Sequence, residues 1–180
     1  YDKAIEKLLK ALDIKKDDAF SMQELGYAYK KKNNYIEALN YLNKAIYQKP
    51  DYAVAYKQLG DVYAGQKRNT EAITAYEKAY SLNNKDASAC YEAGYLYNAT
   101  EKYELALSWL NKAVAIKPTV SAYNEIGFAN YKLLKNEEAF AGYKNALLIN
   151  PENGTAYKGM GDVYRRNFKP AKTTEAIEQY

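Results

Sequence analysis

The chain reads LGDVYAGQKRNTEAITAYEKA at residues 59–79 and MGDVYRRNFKPAKTTEAIEQY at residues 160–180. The two GDVY copies stand 101 residues apart, and the likeness runs well beyond the tetrapeptide. Glycines at 26, 60, 94, 127 and 161 put both copies on one ruler, with spacings of 34, 34, 33 and 34 residues. A period near 34 is the mark of a helical repeat array.

The rest of the unit keeps step with the glycines. An alanine stands twelve residues after each of the first four (Ala38, Ala72, Ala106, Ala139), and another seven further on (Ala45, Ala79, Ala113, Ala146). Pro50, Asn84, Pro118 and Pro151 then close each unit. Tyr29, Tyr63, Tyr97, Asn130 and Tyr164 follow the glycines by three. Each unit therefore reads as two helices. The first carries the glycine, and a polar break follows it, such as KKNN at 31–34, KRN at 67–69 or LKN at 134–136. The second carries both alanines and ends at the proline, which has no N–H to continue a helix. Asp51, Thr119 and Glu152 suit the start of the next helix, as caps or as charges that complement its dipole. Glycine inside a helix costs about 1 kcal/mol against alanine, so its recurrence implies helix axes that approach closely. Such a pair buries its apolar face only by stacking on neighbours.

These residues resemble the tetratricopeptide repeat (TPR) family. The resemblance covers nearly the whole chain and implies an all-α fold, a right-handed superhelical solenoid of antiparallel helix pairs. It divides the chain into a half repeat at 1–14 (second helix only, with Ala4, Leu8 and Ala11), full repeats at 19–52, 53–86, 87–119 and 120–153, and a partial repeat at 154–180. The third repeat is one residue short between Pro118 and Gly127. The last carries a short insertion near 169–172, which puts its alanine at Ala176. The tryptophan common early in the family's unit is replaced by Met22, Tyr56, Cys90, Tyr123 and Tyr157. Both ends fall inside a repeat, so the expectation is a piece of a longer array with open ends suited to self-association.

Composition narrows the chemistry. There are 21 tyrosines, and aromatics make up 14% of the chain, far too many for a disordered segment. A net charge of +4 is spread along the sequence and gives little support for a nucleic acid or membrane partner. There is no histidine, which removes the commonest general base and metal ligand. No phosphate-binding glycine loop is present either. Cys90, the single cysteine, takes a position facing the partner helix and reads as a small buried residue rather than a nucleophile. The expectation is no catalysis, no cofactor and no metal. One cysteine suits a reducing compartment, so the cytoplasm is favoured, and a bacterial periplasm is also compatible. No apolar run is long enough to span a membrane.

The family resemblance implies a concave groove lined by the first helices. Carried onto this sequence, it offers Phe20 and Tyr27 in the first repeat, Lys57 and Asp61 in the second, and Tyr91, Tyr95 and Asn98 in the third. The fourth offers Asn124, Phe128 and Tyr131, and the last offers Lys158 and Arg165. The aromatics among these are the residue types that anchor interfaces. Lys57 with Asp61, and Lys158 with Asp162, stand four apart and suit simple helix ion pairs. The carboxylate clamp by which cytosolic TPR cochaperones grip heat-shock chaperone tails needs Lys and Asn three before and one after the glycine. The pairs here are Gln23/Tyr27, Lys57/Asp61, Tyr91/Tyr95, Asn124/Phe128 and Lys158/Asp162, and none fits. The expected function is a scaffold that binds a peptide segment of a partner protein. The alternatives are a TPR arm of a larger enzyme or assembly factor, or a self-assembling array. RNA binding ranks lower, because Glu24, Asp61, Glu92, Glu125 and Asp162 point at the same groove and repel phosphate.

Overall fold

In the computed structural model, residues 1–167 are described, and they form ten helices and no strand. The insertion expected near 169–172 and Ala176 lie outside the described residues. The helices are α1 (Asp2–Ile14), α2 (Ala19–Lys31), α3 (Tyr35–Gln48), α4 (Ala53–Gly65), α5 (Asn69–Leu82), α6 (Ala87–Ala99), α7 (Tyr103–Ile116), α8 (Val120–Lys132), α9 (Asn136–Ile149) and α10 (Gly154–Asn167). The chain divides into two compact units, residues 1–96 and 97–180, with the boundary inside α6.

Each even-numbered helix from α2 to α8 meets its successor through three residues, the third of which precedes the new helix. The second of the three sits at positive φ: Asn33 at 57°, Lys67 at 60°, Glu101 at 59° and Leu134 at 64°. This left-handed residue lets the chain reverse in so short a turn. The longer links contain four residues, except that 117–119 has three, so the missing residue of the third repeat is taken from the linker. Asp18 and Thr119 cap α2 and α8 by accepting from Ser21 N (2.9 Å) and Ala122 N (3.2 Å). Asn34 does the same for α3 through Glu37 N. Asp51 is not a cap: Tyr52 holds that place in α4 and makes no side-chain capping bond, its hydroxyl donating instead to Gln23 Oε1 at 3.0 Å.

In unit 1, Met22, Leu42, Leu59 and Val62 form a core with Ala38, Ala45, Ala55 and Ala75. A second cluster joins Ile5 of α1 to Leu25 and Ala28 of α2. In unit 2, Tyr143 and Val163 pack with Ala139, Ala146 and Ala156. All eight periodic alanines of the second helices are buried. Burial of small residues at this density lets the backbones approach closely.

Three of the periodic glycines, Gly26, Gly60 and Gly127, serve a different neighbour from the one their spacing suggested, and a Cβ at Gly161 would meet nothing within 4 Å. A Cβ at Gly26 would sit 2.5 Å from Leu42 Cγ, at Gly60 2.7 Å from Tyr76 Cε1, and at Gly127 2.7 Å from Tyr143 Cδ1. These are side chains sixteen residues on, from the paired second helix. The glycine chiefly makes room for a large side chain that crosses the first helix. Close backbone contact shows at Gly142, whose Cβ would meet Gly127 N at 2.8 Å, and less tightly at Gly26, 3.3 Å from the Ala38 carbonyl oxygen.

Candidate functional site

In unit 1 the first-helix face is built by α2, α4 and the start of α6. Phe20 and Val54 occupy the second residue of successive first helices and are 60% and 48% exposed. Tyr27 is half-buried, with the Nζ atoms of Lys30 and Lys31 each 5.3 Å from its ring centre. Asp61 is the hub of this face. Its carboxylate accepts Lys30 Nζ at 2.6 Å and the Tyr76 hydroxyl at 2.9 Å, and Lys57 Nζ lies 3.8 Å away. Burial, reinforced by the Asp61 charge, pushes the Tyr76 phenol far up, so it donates and does not ionise. Glu92 stands nearby on α6, its carboxyl pushed up by burial and then by Asp61, and drawn partly back by Lys57 and Lys30. Tyr91 and Tyr95 flank it as a stacked pair, with ring centres 6.3 Å apart.

In unit 2 the corresponding face is richer in amides. Asn98 is buried, and its Nδ2 donates to Glu125 Oε2 at 2.8 Å and to the Glu125 carbonyl at 3.1 Å. Burial raises the Glu125 carboxyl, and the Asn98 bond opposes that rise. Asn124 Oδ1 accepts from Asn153 Nδ2 at 2.9 Å, which ties α8 to the start of α10. Phe128 meets Tyr103 edge-on at 6.2 Å and carries Lys132 Nζ 5.5 Å from its ring centre. The Arg166 guanidinium lies 3.4 Å from the Tyr131 ring centre and also donates to the Tyr131 carbonyl. Asp162 pairs with Arg165 rather than with Lys158, which is exposed.

The twelve residues expected at the site thus divide by what holds them. Lys57 and Asp61 come together in one ion-pair cluster, and Tyr91 and Tyr95 in one stack. Asn98, Asn124 and Tyr131 are engaged with neighbours inside unit 2, and half-buried Tyr27 with Lys30 and Lys31 in unit 1. Phe20, Tyr95, Phe128, Lys158 and Arg165 present their side chains outward. Two residues at these faces were missed from sequence, Tyr76 and Tyr143, because the reading confined the groove to first helices. The signal was there at sixteen residues after the glycine, where Leu42, Tyr76, Leu110 and Tyr143 are all large. Tyr143 lies over Gly127, and a Cβ at Gly159 would overlap its ring. Its phenol is pushed up to about 12 by burial, with Asp162 and Glu125 adding to the effect.

Among the described residues no group of three or more His, Cys, Asp or Glu is placed to hold a metal ion. No helix there is long and apolar enough to cross a membrane.

Tetratricopeptide repeat family models match residues 24–87 and 87–119. The chain belongs to the TPR family. The architecture is an all-α helical repeat solenoid, as in solved TPR structures. The crystal structure of YrrB, described as a TPR protein with an unusual peptide-binding site, superposes with a TM-score of 0.83 at 23% identity. That match covers 97% of this chain and 90% of the other. The crystal structure of MamA gives 0.74 at 28% identity over 79% of this chain and 84% of the other. Heat shock protein STI1 of Saccharomyces cerevisiae is 36% identical over 70 residues, which is 38% of this TPR chain and 12% of STI1. This chain therefore spans a small part of that relative's length.

Proposed function

We propose that this TPR chain is a non-catalytic scaffold that binds an extended or helical peptide segment of a partner protein on its first-helix face. One observation carries the reading: large aromatic side chains stay exposed at first-helix positions that recur with the repeat. Tyr95 is 45% exposed and Phe128 36%, and both directly follow the periodic glycine. Exposed aromatics on rigid helices lose little conformational entropy on binding and dominate interface energies. The peptide-binding description of YrrB fits this reading, as does the family's general use as an interaction module. A disordered segment would pay for its ordering on binding, so micromolar affinity is expected.

The test is capture of partners from lysate of the source organism by wild type and by Tyr95→Ala/Phe128→Ala, with bound proteins identified by mass spectrometry. Partners lost only with the double variant, at an unchanged melting temperature, support the reading. Equal capture by both proteins overturns it.

A further inference from the structure

The chemistry of the partner segment follows from which polar groups on the unit 1 face are already satisfied and which are not. One register, two residues before the periodic glycine, holds Glu24, Gln58 and Glu92 on α2, α4 and α6. All three are hydrogen-bond acceptors. Glu24 receives Gln23 Nε2 at 3.0 Å. The other two lack donors. Gln58 Oε1 is buried with no hydrogen-bond partner. No hydrogen bond from the described residues reaches the Glu92 carboxylate, although the residue is half-buried. A buried acceptor without a donor carries an uncompensated desolvation cost, larger when it is charged.

The cations nearby are committed elsewhere. Lys30 is held on Asp61 at 2.6 Å, and Lys57 leans to the same carboxylate at 3.8 Å. The Tyr76 hydroxyl also donates to Asp61. Asp61, Lys30, Lys57 and Tyr76 are the titratable groups around Glu92, and their mutual bonds leave Glu92 as the carboxylate in want of a donor. Tyr95 stands one helical turn further along α6, exposed, with its ring against Tyr91. A carboxylate beside an exposed aromatic face suits a planar cation, which donates to the oxygens and stacks on the ring.

We propose that Glu92, with Tyr95 beside it and Gln58 at the same register of the neighbouring helix, receives an arginine side chain of the bound peptide. This rests on the peptide-binding reading above and specifies its partner as a basic segment. Its polarity is opposite to recognition of an acidic tail. The guanidinium supplies up to five donors in a fixed fork, which matches the acceptors left open on this face.

The test pans a random decapeptide display library against the immobilised chain in three forms: wild type, Glu92→Gln and Tyr95→Ala/Phe128→Ala. The glutamine variant keeps shape and volume and removes a buried charge, so it stays folded, and its melting temperature is recorded alongside. Expected is arginine enrichment of several-fold among wild-type selectants, with that enrichment lost in Glu92→Gln. A fluorescein-labelled selectant should then bind wild type at least tenfold more tightly than its citrulline counterpart, and the two should bind Glu92→Gln alike. If peptides are recovered through the aromatic face without arginine enrichment, or with enrichment unchanged in Glu92→Gln, the arginine subsite is overturned and the binding face stands. If the aromatic double variant recovers the same peptides as wild type, the binding face itself falls, and the subsite with it.

Discussion

Gly60 and Gly65 lie on the same helix, α4, and glycine-to-alanine should have opposite effects at the two sites. Alanine favours the helix by up to about 1 kcal/mol at either site. At Gly60 the new methyl falls 2.7 Å and 2.8 Å from two carbons of the Tyr76 ring. That ring is 2% exposed, and its hydroxyl is fixed to Asp61 at 2.9 Å. It cannot swing away without losing the bond, so the overpacking cost of about 1–3 kcal/mol is added to a hydrogen bond worth about 1 kcal/mol. Gly60→Ala should be destabilised by about 1–3 kcal/mol net, at roughly 2–4 °C per kcal/mol. At Gly65 the methyl meets the far end of Tyr35, 2.9 Å from its hydroxyl oxygen, which makes only a long 3.4 Å contact with Asn33. That tip yields easily, and Gly65→Ala should gain about 0.4–1 kcal/mol. Urea unfolding followed by circular dichroism reads both, with midpoint and slope fitted together because stacked repeats unfold less cooperatively than a single core. Gly60→Ala as stable as wild type would refute the reasoning. So would a penalty that persists undiminished in a Tyr76→Leu background, since the ring is the claimed obstacle.

Three further outcomes are expected. Leu134 is 70% exposed at φ 64°, a conformation that costs a β-carbon about 1–2 kcal/mol, so Leu134→Gly should raise stability by about 0.5–1 kcal/mol in the same urea assay. Tyr76→Phe removes one of the two hydrogen-bond donors to Asp61 and should cost about 1 kcal/mol in thermal unfolding, while Tyr47→Phe at an exposed position of α3 serves as the tyrosine control. Burial holds the Glu125 carboxyl above its ordinary 4.5. Its protonation therefore stabilises the fold fully below 4.5, and that contribution is lost as pH rises through the folded value. Glu125→Gln should then be more stable than wild type at pH 7 and converge with it below about pH 4; melts that run parallel across this range would contradict the burial argument.

The repeat and its two-helix unit were legible because periodicity reports packing constraints directly. Ala38, Ala72, Ala106 and Ala139 recur because each is a fully buried contact. The αL turn residues were not legible. Asn33, Lys67, Glu101 and Leu134 share a backbone conformation but no chemistry, and only Asn33 carries a residue suited to it. The faces were half legible. Tyr95 and Phe128 could be placed by counting from the glycine, because a helix fixes direction. The hydrogen-bond donors to Asp61 could not, since Lys30 comes from the preceding repeat and Tyr76 from the second helix. Counting along one helix cannot find a bond that crosses three.

That crossing bears on how charge in such a face should be read. Lys57 and Asp61 form an i,i+4 pair on paper, worth a few tenths of a kcal/mol. In the fold Lys57 is the looser contact at 3.8 Å, and Lys30 at 2.6 Å is the closer one. A lysine can serve an anionic ligand only while its charge is unspent. Here both half-buried lysines of unit 1 lean on Asp61, and the acceptor left over is Glu92 on the next first helix. The sign of charge a face offers its ligand is thus set by which group the internal pairs leave out. That group is a carboxylate, although the chain as a whole is positive.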